Sequence, residues 1–132
     1  MKYLLDTHTM IWSATDTSRL SPTARQILSD PTHQIFVSAV SFWEISLKHG
    51  LGKLALNNVA PEDFLAACVS MDFDILPLDA QAASTFHFLK ATHHKDPFDR
   101  MLVWQALCLS VPLVSKDPEI VLYQSEGLKV VW

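Results

Sequence analysis

Apolar residues come in short blocks along this chain, and the blocks switch between strand-like runs and helix-like spacing. Lys2-Tyr3-Leu4-Leu5 is a brief apolar run that predicts a strand, and it leads straight into Asp6-Thr7-His8. Thr9 to Ala14 then reads as a helix. Ser21-Pro22 opens a second helix, with Ser as N-cap and Pro at the first helical position, and Pro31 closes it after about Asp30. Gln34 to Val37 predicts a second strand, and Ser41-Phe42-Trp43-Glu44 begins a helix that ends at Gly50. A further helix follows Pro61-Glu62-Asp63, Phe73 to Leu76 reads as a third strand, and Asp79 caps a helix running to about Lys90.

The stretch from Ala91 to Lys95 is polar and rich in histidine. From Asp96-Pro97 a long helix runs to Ser110, apolar on nearly every side and therefore expected to be buried. Val111 to Ser115 predicts a fourth strand that ends by Asp117, and Leu128 to Val131 a fifth. Strands alternating with helices specify an α/β fold with a mostly parallel central sheet and helices on both faces, where ligands sit beyond the carboxyl ends of the strands. A length of 132 residues suits one domain over 1–132. Asp6 and Asp117 both fall at strand ends.

Composition narrows the classes. A hydrophobic fraction of 49% with 18% charged residues fits a folded globule and excludes a disordered chain. The opening residues lack a signal-peptide apolar region and no later run is long enough to span a bilayer, so the expectation is a soluble cytoplasmic protein with no membrane association. Cys68 and Cys108 have no metal-type spacing and read as reduced packing residues. The net charge of −4 excludes a protein that coats nucleic acid by general electrostatics. If four acids are set aside as metal ligands, ten remain against ten Lys and Arg, and phosphate is no longer repelled.

Each notable acid has a structural reading beside a chemical one. Asp6 fits an N-cap; Ser41-x-x-Glu44 fits a capping box, with Lys48 placed for a surface pair; Asp96 before Pro97 fits an N-cap; Asp117 before Pro118 fits a turn. Asp99 is different, because helical spacing aligns it with Leu102, Val103 and Ala106, and a buried carboxylate needs a partner. Hard cations such as Mg²⁺ or Mn²⁺ take oxygen ligands, and they promote phosphodiester cleavage by activating water and stabilising the leaving oxygen. The six histidines show no zinc-type spacing and read as surface or capping residues, with His8, two after Asp6, the one to watch.

Four stretches in order, Leu4-Leu5-Asp6-Thr7-His8, Ser38-x-x-Ser41-x-Trp43-Glu44-Ile45, Asp96-Pro97-Phe98-Asp99-Arg100-Met101-Leu102 with Gln105-Ala106, and Leu113-Val114-Ser115-Lys116-Asp117, resemble a PIN-domain ribonuclease of the VapC-like toxin type. The resemblance spans the whole chain. It implies Asp6, Glu44, Asp99 and Asp117 as the acidic metal ligands, Asp96 as an auxiliary acid, and Thr7 and Ser115 as hydrogen-bonding supports. It further implies Mg²⁺- or Mn²⁺-dependent cleavage of RNA, a homodimer, and a small cognate antitoxin as protein partner. Lys95, Arg100 and Lys116 would hold RNA phosphates, whereas Lys48 reads as solvated charge. Trp43 and Trp104 are flanked by apolar residues at helical positions and are expected in the core rather than stacked on bases.

Two rival functions stand beside this one. An apolar strand ending in Asp6-Thr7 resembles the nucleophile motif of haloacid-dehalogenase-type phosphatases, although His8 occupies the place of that motif's second acid. A non-catalytic RNA- or protein-binding domain would use the same acids only as caps.

Overall fold

The computed structural model describes residues 1–132. Lys2–Leu5 forms β1, and its last three side chains are buried, as a strand covered on both faces requires. It pairs in parallel with β2 (Gln34–Ser38) on one side and β4 (Leu113–Val114) on the other. β3 (Asp74–Leu76) extends the sheet beyond β2, and β5 (Val130–Val131) beyond β4, so the order is β3-β2-β1-β4-β5 with every pairing parallel. The strand order reverses between β1 and β4, and in such sheets the crevice for ligands opens at that point.

Alternation along the strands sends neighbouring side chains to opposite faces. Leu5, Val37 and Val114 enter a core with Met10 of α1 (Thr7–Thr15), Ala24 and Ile27 of α2 (Pro22–Ser29), Ile45 of α3 (Ala39–Gly50) and Phe64 of α4 (Asp63–Ser70). Leu4 and Leu113 face the other way. Past α5 (Ala80–Thr85), that second core holds Val103 and Ala106 of α6 (Pro97–Leu109), Ile120 of α7 (Pro118–Val121) and Tyr123. Leu4, Leu5, Leu113 and Val114 are wholly buried, each contributing on the order of 2 kcal/mol by leaving water. The expected α/β sheet with helices on both faces is what the chain forms.

Several boundaries differ from the pattern-based expectation. α1 starts at Thr7, two residues before the apolar pattern from Thr9 but where Asp6 as N-cap puts it, the Asp6 carboxylate accepting the Thr9 amide at 2.8 Å. α3 starts at Ala39 with Ser38 as its cap, the Ser38 hydroxyl accepting the Val40 amide at 3.1 Å. The Ser41-x-x-Glu44 box therefore does not form. α5 stops at Thr85, and Phe86–Phe88 continues as a tight 3₁₀ turn instead of reaching Lys90. α6 is not buried all round: Cys108, Leu109 and Ser110 are exposed, and Ser110 leaves the helix at φ 55. Cys68 is buried as expected, but Cys108 is not a core residue. Beyond β4, the sequence pattern missed α7 and the 3₁₀ turn Leu122–Glu126. No helix is long and apolar enough to cross a membrane.

Candidate active site

Asp6 stands one residue past the end of β1, where its side chain does two things. Oδ1 caps α1 through the Thr9 amide, and Oδ2 accepts the Ser115 hydroxyl at 2.5 Å from beyond β4. Ser115 is itself buried and also accepts the Asp117 amide at 3.1 Å, which ties the ends of β1 and β4 together at the crevice. Burial drives the Asp6 carboxyl above its ordinary value, against the hydrogen bonds from Ser115 and Thr9.

Glu44, on α3, is buried instead of pairing on the surface. Its Oε1 accepts the Thr7 hydroxyl at 2.6 Å, and its Oε2 accepts from the Lys48 ammonium one turn on. Burial alone would lower the Lys48 pKa. The hydrogen bond and charge of Glu44, with further charge from Asp96 and Asp99, hold it above the usual lysine value. Lys48 is thus part of the acidic group and not the solvated charge expected of it.

Asp96 caps α6, its Oδ1 accepting the amides of Phe98 and Asp99 at 2.9 and 3.1 Å. Asp99, in the first turn, is largely buried, and its carboxyl is pushed up to about 8. Burial is the main cause, followed by the negative charges of Asp96, Glu44, Asp6 and Asp117. One neighbour in sequence and three acids from distant parts of the chain therefore act on one carboxyl. Asp117 caps α7 through the Glu119 amide at 2.8 Å. Together with Asp6, His8, Trp12, Lys116 and Pro118 it lines a hollow of about 380 Å³. A larger hollow of about 640 Å³ near Leu20, Arg25 and Phe73 has no acidic side chain and lies apart from this chemistry.

The model of the PIN domain matches residues 3–124 of the chain. The chain belongs to the PIN-domain family. No curated protein matches it. Among solved structures, this PIN domain is similar to VapBC2 from Rickettsia felis bound to a DNA fragment from its promoter, at 13% identity and a TM-score of 0.67, over 99% of this chain and 98% of that one. VapBC-1 from nontypeable Haemophilus influenzae gives 17% identity and a TM-score of 0.67 over 99% and 97% of the two chains. VapBC-5 from Mycobacterium tuberculosis, a member of the VapBC family of toxin-antitoxin systems, gives 17% and 0.61 over 98% and 97%. At these identities the likeness is one of fold.

The donor types of this PIN domain suit a hard cation, since the acids whose charges act on Asp99 offer carboxylate oxygens and no thiol is among them. No three Asp, Glu, His or Cys side chains stand close enough to form a closed metal cage. That is compatible with Mg²⁺, which keeps several waters and takes only one or two carboxylates directly.

Three expectations need correction. The Arg100 guanidinium is turned inward, donating to the carbonyls of Ala91 (2.7 Å) and Leu89 (3.3 Å) and to the Tyr123 hydroxyl (2.8 Å), so it is withdrawn from phosphate binding. Lys95 and Lys116 remain exposed. Trp43 is not core but 58% exposed, edge-on to Phe98 at 5.0 Å, while Trp104 is half-buried with its indole N–H on the Ala82 carbonyl at 3.1 Å. The third is His94. Assigned by pattern to a polar surface stretch, its side chain is only 6% exposed and lies 3.5 Å from Asp99. The available signal was its position, two residues before one acid and five before the other.

Proposed function

We propose that this PIN domain is a metal-dependent endoribonuclease, a VapC-like toxin held in check by a small antitoxin protein in the cytoplasm and acting as a homodimer. What supports the proposal is that Asp6, Glu44 and Asp117, from separate parts of the chain, lie near enough for their charges to act on the Asp99 carboxyl, beside the switch point of a parallel sheet. The antitoxin and the toxin role rest on the fold shared with VapBC structures.

Mg²⁺ or Mn²⁺ held directly by one or two of these acids, and by the others through water, would supply an activated water and stabilise the leaving oxygen of the phosphodiester. The chain's own residues prepare the site. Ser115 and the Thr9 amide fix both oxygens of Asp6, and Thr7 fixes the orientation of Glu44. Asp96 holds the first turn of α6 so that Asp99 faces the cluster. Lys95 and Lys116 are free to meet RNA phosphates from the rim.

The phosphatase alternative needs a second acid two residues after Asp6, and His8 stands there instead. The binding-only alternative treats the acids as caps. Asp6, Asp96 and Asp117 do cap helices, but Glu44 caps nothing and is buried toward the others.

The test is cleavage of single-stranded RNA by purified protein. Activity should appear with Mg²⁺ or Mn²⁺, stop with EDTA, and leave 5′-phosphate ends, as attack by water requires. Cleavage that survives EDTA, or 2′,3′-cyclic ends, would overturn the metal reading in favour of attack by the RNA's own 2′-hydroxyl.

A further inference from the structure

The ring of His94 holds the one buried side-chain nitrogen or oxygen without a hydrogen-bond partner, Nε2, and that atom lies 3.5 Å from Asp99 Oδ2, outside hydrogen-bond geometry. Its other nitrogen, Nδ1, lies 3.1 Å from the Tyr123 hydroxyl. Tyr123 is wholly buried, and its hydroxyl also meets the Arg100 guanidinium at 2.8 Å. Arg100 is fixed in turn by the Ala91 and Leu89 carbonyls and by the faces of Phe86 and Tyr123, 5.5 and 5.9 Å from its guanidinium carbon.

We propose that Arg100, Tyr123 and His94 form a one-directional hydrogen-bond relay that orients the Asp99 carboxylate, with His94 as its positioning residue. This rests on the reading of Asp99 as a metal ligand. The direction follows from donor counts alone. Arginine only donates, so the Tyr123 oxygen accepts. The single Tyr123 proton then has one acceptor within reach, His94 Nδ1. A neutral ring that accepts at Nδ1 carries its proton on Nε2 and points that N–H at Asp99. This arrangement gives the Tyr123 proton an acceptor and leaves only the Nε2–H at the longer 3.5 Å separation from Asp99, whereas the opposite tautomer leaves the Tyr123 proton buried with no acceptor and sets a lone pair against an ionised carboxylate. Partners of this kind beyond the direct ligands typically set ligand orientation and affinity in metal sites.

The relay is tested by ring-nitrogen NMR of metal-free protein well above pH 8, with the histidine rings neutral and Asp99 ionised, together with Mg²⁺ and Mn²⁺ titration calorimetry. The expected His94 signature is the Nε2–H tautomer, and Tyr123→Phe should remove that preference. Metal binding should weaken by roughly tenfold to a hundredfold in His94→Leu. His94→Gln, whose amide nitrogen can occupy the Nε2 position, should recover most of it, and His93→Gln on the exposed neighbour should bind as the parent does. An Nδ1–H tautomer, or parental metal affinity in His94→Leu, overturns the relay and leaves the nuclease reading intact. A parent protein that binds neither metal overturns the nuclease reading and removes the positioning role with it, whichever tautomer the ring holds.

Discussion

Thr7 has a single hydroxyl proton, and the Glu44 carboxylate 2.6 Å away can only accept. That proton is therefore committed to Glu44, and the Ser41 hydroxyl, 3.0 Å from the Thr7 oxygen, donates into the other side. One side chain at the start of α1 thus orients an acid on α3. Replacing it with the isosteric valine leaves a buried carboxylate oxygen unpaired, at a cost of about 1–3 kcal/mol. Thr7→Val should accordingly lower the unfolding free energy by about that much and reduce RNA cleavage by roughly tenfold or more, as losses around a metal ligand do. Thr7→Ser, which keeps the hydroxyl, should retain most of both. Denaturant melts beside cleavage rates check the pair, and equal losses in the two variants would show that the threonine methyl, not the hydroxyl, matters.

At the scale of elements, Ser38 joins the two helices that carry Glu44 and Asp99. Its hydroxyl caps α3 and donates to Gln105 Oε1 on α6 at 2.6 Å, while Gln105 Nε2 reaches the Pro77 carbonyl at 3.3 Å. Ser38→Ala removes a cap worth about 1 kcal/mol and a buried hydrogen bond of similar size, so a loss of roughly 2 kcal/mol is expected in denaturant melts. A loss within about 0.5 kcal/mol of zero would mean that another residue holds the start of α3. The same helix marks the limit of pattern reading. Period and turn residues found all five strands and the two long helices, because burial of alternate faces and Pro or Gly stops act locally. They misplaced the α3 cap, since Ser38 and Ser41 both offer a hydroxyl and only the distant Gln105 discriminates between them. The capping roles of Asp6 and Asp96 were legible through their place at a strand end and a helix start. The fate of Arg100, Lys48, Trp43 and His94 was not, because what each one touches depends on Tyr123, Glu44, Phe98 and Asp99, brought near by folding.

At the scale of the molecule, the fold gathers like charges that an unfolded chain would keep apart, and stability without metal bears the consequence. Asp99 is held at about 8 against an ordinary 3.8, first by burial and then by the other four acids. At neutral pH the folded protein therefore carries a proton on Asp99 that the unfolded chain has released. An acid with a raised folded value contributes its stability in the protonated form, fully present below the unfolded value and lost as pH rises through the folded one. The window runs from about pH 4 to about pH 8, and within it this one group lowers stability by up to about 1.4 kcal/mol per pH unit. Asp6, raised chiefly by burial, acts in the same direction. Metal-free protein in EDTA should thus melt at progressively lower temperature as pH rises through this window, and Asp99→Asn, with nothing to ionise, should show a shallower decline and melt no lower than the parent at the top of it. Mg²⁺ at a hundredfold excess over its Kd should stabilise the parent by about 2.7 kcal/mol through binding to the native state alone, and should stabilise Asp99→Asn much less. If Asp99 merely complements the dipole of α6, its charge is favourable, so the asparagine variant should lose up to about 1 kcal/mol, and neither protein should respond to metal. Melts of both proteins across that pH range, in EDTA and then with Mg²⁺, separate the two accounts: a destabilised variant beside a metal-blind parent would remove Asp99 from the metal site.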